Sequence, residues 1–201
     1  ARIVRGFLFE SLETVLLALA VFLILQASVQ NFHVDGISMD PTLTHGQYLL
    51  VNKLVYEPIP FQSEETVNGQ VTPGIRRWIF PFHPPEQGDV IVFHEPTDLT
   101  RDFVKRIIGV PGNTVEMKFG VVYVNGNLLE ERYLVNRDTS NLAPVFVQPG
   151  FYFVLGDNRS VSYDSRELGP IPQENIVGKA WFSYWPLPSI ETLSAVLGFL
   201  R

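Results

Sequence analysis

Val121-Val122-Tyr123-Val124-Asn125-Gly126-Asn127-Leu128-Leu129 carries the strongest local fold signal of the chain. Asn and Gly tolerate the positive φ that a two-residue hairpin turn demands, and here they sit between runs of β-branched, aromatic and aliphatic residues. The segment reads as a β-hairpin. Working outward, residues 48–51, 90–93, 103–108, 151–155 and 176–184 are further short runs of the same composition, separated by Gly, Pro and Asn. The spacing predicts a mostly β chain, with an antiparallel β-rich domain over residues 33–188.

Residues 57–88 break that rhythm, because Pro58, Pro60, Pro73, Pro81, Pro84 and Pro85 interrupt nearly every element. They read as a long excursion from the domain, with a partial strand at 77–80. The first 32 residues differ again. Residues 14–32 carry no charge, with 15–25 unbroken hydrocarbon, and the whole uncharged stretch as a helix reaches about 28 Å against a bilayer core of about 30 Å. One transmembrane helix is expected. Arg2 and Arg5 precede it and the next Lys or Arg is Lys53, which places the amino terminus in the cytoplasm and the bulk of the chain outside it. A cleavable export signal and a buried helix also fit an apolar run. Glu10 and Glu13 sit awkwardly for the first, and the second rests on a strictly apolar core of only residues 15–25. At the far end, Ser189 as N-cap with Glu191 in the first turn predicts an amphipathic helix over 189–201, packed on the domain or lying on a membrane surface.

Composition excludes several chemistries. Of the 201 residues, 46% are hydrophobic and 18% charged, which rules out wholesale disorder, and a net charge of -6 has the wrong sign for binding phosphate backbones. Nucleic acid is not an expected partner. Zero cysteines remove disulfides, zinc-thiolate sites and thiol catalysis, so a covalent nucleophile must be an oxygen or an amine. His33, His45, His83 and His94 form no spaced metal-ligand pair, and no cofactor or metal is expected. No serine lies in a GxSxG elbow, and no glycine-rich loop opens a helix.

A lysine serves as a base at neutral pH only when burial disfavours its charged form. Among Lys53, Lys105, Lys118 and Lys179, Lys105 lies in Phe103-Val104-Lys105-Arg106-Ile107-Ile108, where the strand period puts it on one face with Phe103 and Ile107. Periodicity alone also allows an edge-strand lysine facing water. Two other blocks bear on the choice: Gly36-Ile37-Ser38-Met39-Asp40-Pro41-Thr42-Leu43, just past the apolar span, and residues 156–169, GDNRSVSYDSRELG. Together with Gly88-Asp89-Val90-Ile91-Val92-Phe93 and the Lys105 to Gly112 stretch, they resemble, in order, the blocks of the type I signal peptidases. Those are membrane-tethered Ser/Lys endopeptidases that remove signal peptides from exported proteins.

The resemblance runs over nearly the whole chain. It implies Ser38 as nucleophile, Lys105 as general base, Ser162 as a serine that hydrogen-bonds and orients the lysine, and Asp164 with Arg166 as a supporting pair. Some members carry a serine two residues before the nucleophile as an oxyanion donor. This chain has Gly36 there, so the hole is expected at the Gly36 and Ser38 backbone, chiefly the Ser38 N–H. Asn113 stands where an aspartate is common after Pro-Gly. The implied substrate region lies extended beside Phe103 and Val104, with Phe32, Val34, Met39, Leu43, Phe103 and Val104 walling shallow pockets that prefer Ala-X-Ala. The implied partners are signal peptides of exported pre-proteins and a lipid bilayer, in a cell membrane or a thylakoid membrane. A self-cleaving Ser/Lys repressor-type protease shares this core, though it lacks the anchor and the 156–169 block. A catalytically silent anchored β-domain is the remaining alternative.

Overall fold

A computed structural model of the chain describes residues 2–56, 59–67, 70–79, 82–135, 138–186 and 191–192. The elements in chain order are α1 (Arg2–Ser28), β1 (Val29–His33), β2 (Tyr48–Asn52), β3 (Ile59–Val67), β4 (Gln70–Ile79), β5 (Val90–Glu95), β6 (Asp98–Gly109) and β7 (Thr114–Lys118). There follow β8 (Val121–Val124), β9 (Asn127–Leu128), β10 (Leu142–Phe146), β11 (Phe151–Leu155), α2 (Ser165–Leu168), β12 (Ile171–Pro172), β13 (Ile176–Trp185) and β14 (Glu191–Thr192). The chain is thus mostly antiparallel β with few helices. Its main sheet runs β1-β2-β13-β5-β6-β11-β12 with β14 added to β13, a second sheet runs β10-β7-β8-β9, and β3 pairs with β4 alone.

The strand period explains why the middle of the main sheet carries no polar alternation. On β5, Val90 and Val92 enter one core with Val34, Met39, Leu43, Leu49, Val51 and Ala180, while Ile91 and Phe93 enter another with Ile107, Tyr152, Val154 and Ile171. A strand buried on both faces reads as a continuous apolar run. β11 does the same, sending Phe153 and Leu155 into a third core with Val115, Met117 and Val122 beneath the smaller sheet. In the hairpin of β8 and β9, Asn125 has φ 53° and Gly126 φ 77°, the positive pair that the turn requires. Val124 faces Asn127 across it.

Several boundaries differ from the sequence expectation. α1 ends at Ser28, and Val29–His33 is a strand paired with β2, so Phe32 belongs to the sheet rather than to a helix through residue 32. Polar Gln30 and Asn31 alternate poorly as helix but are harmless on an exposed strand edge. Among the described residues no helix is long and apolar enough to cross a membrane. The excursion holds more than a partial strand: β3 and β4 form a two-stranded ribbon that includes Pro60 and Pro73. Both strands of such a ribbon are edges, where a missing N–H can face water; Phe80 lies outside the described residues. Glu191 and Thr192 pair with Ser183 and Phe182 as a strand, contrary to a helix starting at Ser189. The rest of 189–201 lies outside the described residues.

Candidate active site

Ser38 sits on a tight loop between β1 and β2. Asp40 N–H donates to Ile37 C=O at 3.2 Å and Leu43 N–H to Met39 C=O at 2.9 Å. Met39 and Leu43 are both 1% exposed and plug the loop into the first core. The Ser38 carbonyl accepts from Asn158 N–H at 2.9 Å, which ties the loop to the 156–159 turn. Gly156 makes that approach feasible: a Cβ there would meet the Ser38 carbonyl oxygen at 2.5 Å and Ser162 Oγ at 2.1 Å.

Lys105 reaches the same point from β6. Its Nζ donates to Ser38 Oγ at 2.8 Å and to the Val104 carbonyl at 3.0 Å, and it lies 5.3 Å from the Phe103 ring centroid. The residue is 3% exposed, and burial lowers its pKa from 10.5 to about 8, although Asp164 and Asp157 pull the other way. A fraction of the amine, about a tenth at pH 7, is therefore neutral and can accept a proton.

The neighbouring Arg106 points to the opposite face and is fully buried. It grips Asp157 with two hydrogen bonds, Nε to Oδ1 at 2.8 Å and Nη2 to Oδ2 at 2.6 Å, and donates from Nη1 to the Gly88 carbonyl at 2.9 Å. Thr42 Oγ1 donates to Asp157 Oδ2 at 2.5 Å, so the Ser38 loop, β6 and the 156–159 turn meet at one carboxylate. The Tyr133 ring covers the guanidinium, 4.0 Å from its carbon. Arg159 pairs with Glu131 in the same interior.

Asp164 caps α2 and accepts from Gly156 N–H at 3.0 Å and from Arg166 Nε at 2.8 Å. Arg166 also donates to Asp138 at 2.7 Å and to the carbonyls of Arg159 and Ser162 at 2.8 and 3.1 Å. The expected pair is thus a brace that closes the 156–166 loop against the site. Ser162 departs from expectation. Its Oγ is buried and makes no hydrogen bond among the described residues, while the Lys105 Nζ donates to Ser38 and Val104. Gly36 departs as well, since its N–H donates to His45 Nδ1 at 3.1 Å and is not open to an oxyanion. The Ser38 N–H carries no such bond among the described residues.

Beside Ser38 opens a cavity of about 100 Å³ lined by Phe32, Val34, Leu49, Val92, Phe103 and Val104, with Asp35 and Asp102 at its rim. Four of the expected walls are there; Met39 and Leu43 are not, because both are consumed by the core behind the loop. β6 is paired with β5 at Asp98 and over residues 102–106, but β11 reaches it only at Arg106, Ile107 and Gly109, so one edge of residues 102–105 is open among the described residues. Arg106, Asp157, Thr42, Gly156, Tyr133 and His45 escaped the sequence reading. Arg106 and Asp157 lay inside blocks already singled out, whereas nothing local marked Tyr133 or His45.

A buried amine bonded to a serine hydroxyl at the mouth of a small apolar cleft equips a protein to be a hydrolase. The signal peptidase, peptidase S26, family matches residues 8–185, and the chain belongs to that family. It is a signal-peptide-cleaving peptidase, a serine endopeptidase of the hydrolase class. Among its relatives, a probable signal peptidase I-1 of Synechocystis sp. is 37% identical over 188 residues, 90% of this chain and 84% of that one. A signal peptidase I of Bacillus caldolyticus is 38% identical over 78% of this chain and 79% of its own. A signal peptidase IB of Staphylococcus aureus is 35% identical over 90% and 93%.

Proposed function

We propose that Ser38 and Lys105 are the catalytic dyad of an endopeptidase that cuts exported pre-proteins after small residues. The observation that carries this reading is the 2.8 Å contact between Lys105 Nζ and Ser38 Oγ, made by an amine whose burial holds its pKa near 8. Neutral Lys105 takes the Ser38 proton as Oγ bonds to the scissile carbonyl carbon. The oxyanion is stabilised by the Ser38 N–H. The lysine ammonium then protonates the leaving amine as the C–N bond breaks, and the same amine deprotonates the water that releases the acyl group and restores the Ser38 hydroxyl. Asp164 and Arg166 hold the loop that backs the dyad, and Ser162 fills the space beside it.

The open edge of residues 102–105 suits an extended substrate added as a strand, whose alternate side chains enter the cavity. A cavity of about 100 Å³ has room for alanine-sized groups. For the anchor, Val15, Leu16, Leu17, Val21, Phe22, Leu23, Ile24 and Leu25 are all exposed along α1, an apolar surface that suits lipid far better than water. The anchor reading places the amino terminus in the cytoplasm and the β domain on the extracytoplasmic side of a cell or thylakoid membrane.

The test is kcat/KM for peptides varied at the three positions before the cut, with Ser38→Ala as the inactive control. A bulky residue at the first or third position should cost roughly 1–3 kcal/mol in the barrier, about 5- to 150-fold, and one at the second position much less. Equal tolerance at all three positions overturns the extended-substrate reading, and turnover by Ser38→Ala overturns the dyad.

A further inference from the structure

The segment leading into Ser38 is clamped along one edge by the loop that follows the nucleophile. Val34 N–H donates to the Gln47 carbonyl at 2.8 Å, and Gly46 N–H donates to the Val34 carbonyl at 2.9 Å. Two residues on, the same edge of the chain presents Gly36 N–H, and here a side chain replaces the carbonyl: the acceptor is His45 Nδ1 at 3.1 Å. The same ring nitrogen lies 3.3 Å from Asp35 Oδ1. A backbone N–H can bond only to an unprotonated ring nitrogen, so this rung requires neutral His45 with its proton on Nε2. A protonated Nδ1 can no longer accept from Gly36 and becomes a donor to Asp35. One nitrogen thus has two partners that it satisfies in opposite protonation states.

Asp35 lies between the two clamped residues, and its own N–H and carbonyl make no hydrogen bond among the described residues. Alternation along an extended chain turns those groups away from the clamp, and Phe32, His33, Val34 and Asp35 all line the cleft. The clamp therefore sets both the edge an extended peptide would meet and the backbone that delivers Ser38. We propose that His45 is a positioning residue for the cleavage reaction: neutral, it fixes Gly36 and the approach to Ser38; protonated, it releases Gly36 and pairs with Asp35. This rests on the reading of Ser38 as nucleophile.

The titratable groups that face the ring among the described residues are Asp35 and His33, the latter at 6.4 Å between ring centroids. The carboxylate attracts an imidazolium and a charged His33 repels it. His45 is 60% exposed and Asp35 88%, so the ring exchanges protons directly with solvent.

The experiment compares the full chain in detergent with His45→Asn and His45→Ala between pH 5.5 and 8.5, using a peptide with alanine at the first and third positions. Asparagine offers an acceptor oxygen close to the Nδ1 position but does not titrate. Lys105 imposes its own acid loss on all three proteins, so the ratio to wild type is what is read. The His45→Asn ratio should be near one at pH 8 and rise to about three- to tenfold at pH 5.5. The His45→Ala ratio should be about a third to a tenth at pH 8 and approach one at pH 5.5. A flat His45→Asn ratio, or His45→Ala equal to wild type at pH 8, overturns the proposal. A second measurement needs no turnover: in full-length Ser38→Ala, the Gly36 amide resonance should follow the His45 ring through its titration and stop doing so in Ser38→Ala/His45→Asn. An unmoved Gly36 amide overturns the clamp, whereas cleavage by Ser38→Ala overturns the nucleophile assignment and leaves the amide measurement valid.

Discussion

Lys105 and Arg106 are adjacent on β6, equally buried, and opposite in chemistry. Arg106 is surrounded by a bidentate carboxylate, a backbone carbonyl and an aromatic face, so its charge is matched where it lies. Among the described residues Lys105 finds only a hydroxyl and a carbonyl within hydrogen-bond reach, neither charged, and Asp164 and Asp157 act on it from a distance. Burial alone therefore does not decide whether a cation survives; the partner set does. Because successive strand residues point to opposite faces, one strand carries a structural cation and a proton acceptor side by side.

The comparison breaks most visibly in activity. Lys105→Ala should lower kcat/KM by about 10² to 10⁴-fold or more while leaving the circular dichroism spectrum unchanged. Lys105→Arg should fail similarly, because a guanidinium stays protonated at any working pH. Near-wild-type turnover by either variant would remove the proton-acceptor role.

On the other face the loss should fall on stability. Asp157→Asn or Arg106→Met leaves a buried group unmatched and should cost about 3–5 kcal/mol in urea denaturation. Replacing both together by Met and Leu should cost clearly less than the sum of the singles, and full additivity would show the pair to be uncoupled.

Lys105→Met should do the reverse and stabilise the fold. A folded pKa of about 8 against 10.5 means that the unfolded chain binds more protons between those values, so stability rises with pH across that window and the charged lysine is a burden below it. The burden is worth up to about 3 kcal/mol, and after loss of two hydrogen bonds Lys105→Met should gain about 2 kcal/mol at pH 7. The gain should vanish above pH 10.5. Equal gains at pH 7 and pH 10.5 would show that packing, not charge, was responsible.

The wild-type pH profile sharpens the same comparison without a substitution. Well below about pH 8 protonation of Lys105 should lower kcat/KM about tenfold per unit of acid, protonation of His45 should add its loss of about three- to tenfold by pH 5.5, and the curve should level above about pH 8. A profile that stays level down to about pH 6.5 and falls only below it would remove Lys105 as the titrating base.

Local patterns were legible because their causes are local. The Asn125-Gly126 turn, the apolar runs of β5 and β11 and the face shared by Phe103, Lys105 and Ile107 follow from φ preferences and the two-residue period, and the described strands follow them. The ribbon of β3 and β4 was hidden by its prolines, which argue against a central strand but not against an edge. Ser38 and Lys105 stood out as blocks of sequence, yet their contact spans 67 residues and depends on how the sheet closes.

The rest of the site belongs to packing at long range. Met39 and Leu43 look like pocket walls by proximity to Ser38, but a loop this tight needs apolar anchors, and the core takes both. Ser162 comes beside the dyad because Gly156 lets the turn press against Ser38, a closeness that involves the absence of a side chain. The chain's own residues determined that a serine, a lysine and a β framework would be present; only the tertiary structure decided which donors each acceptor received, because hydrogen bonds are directional and short-ranged while the residues that make them are scattered along the chain.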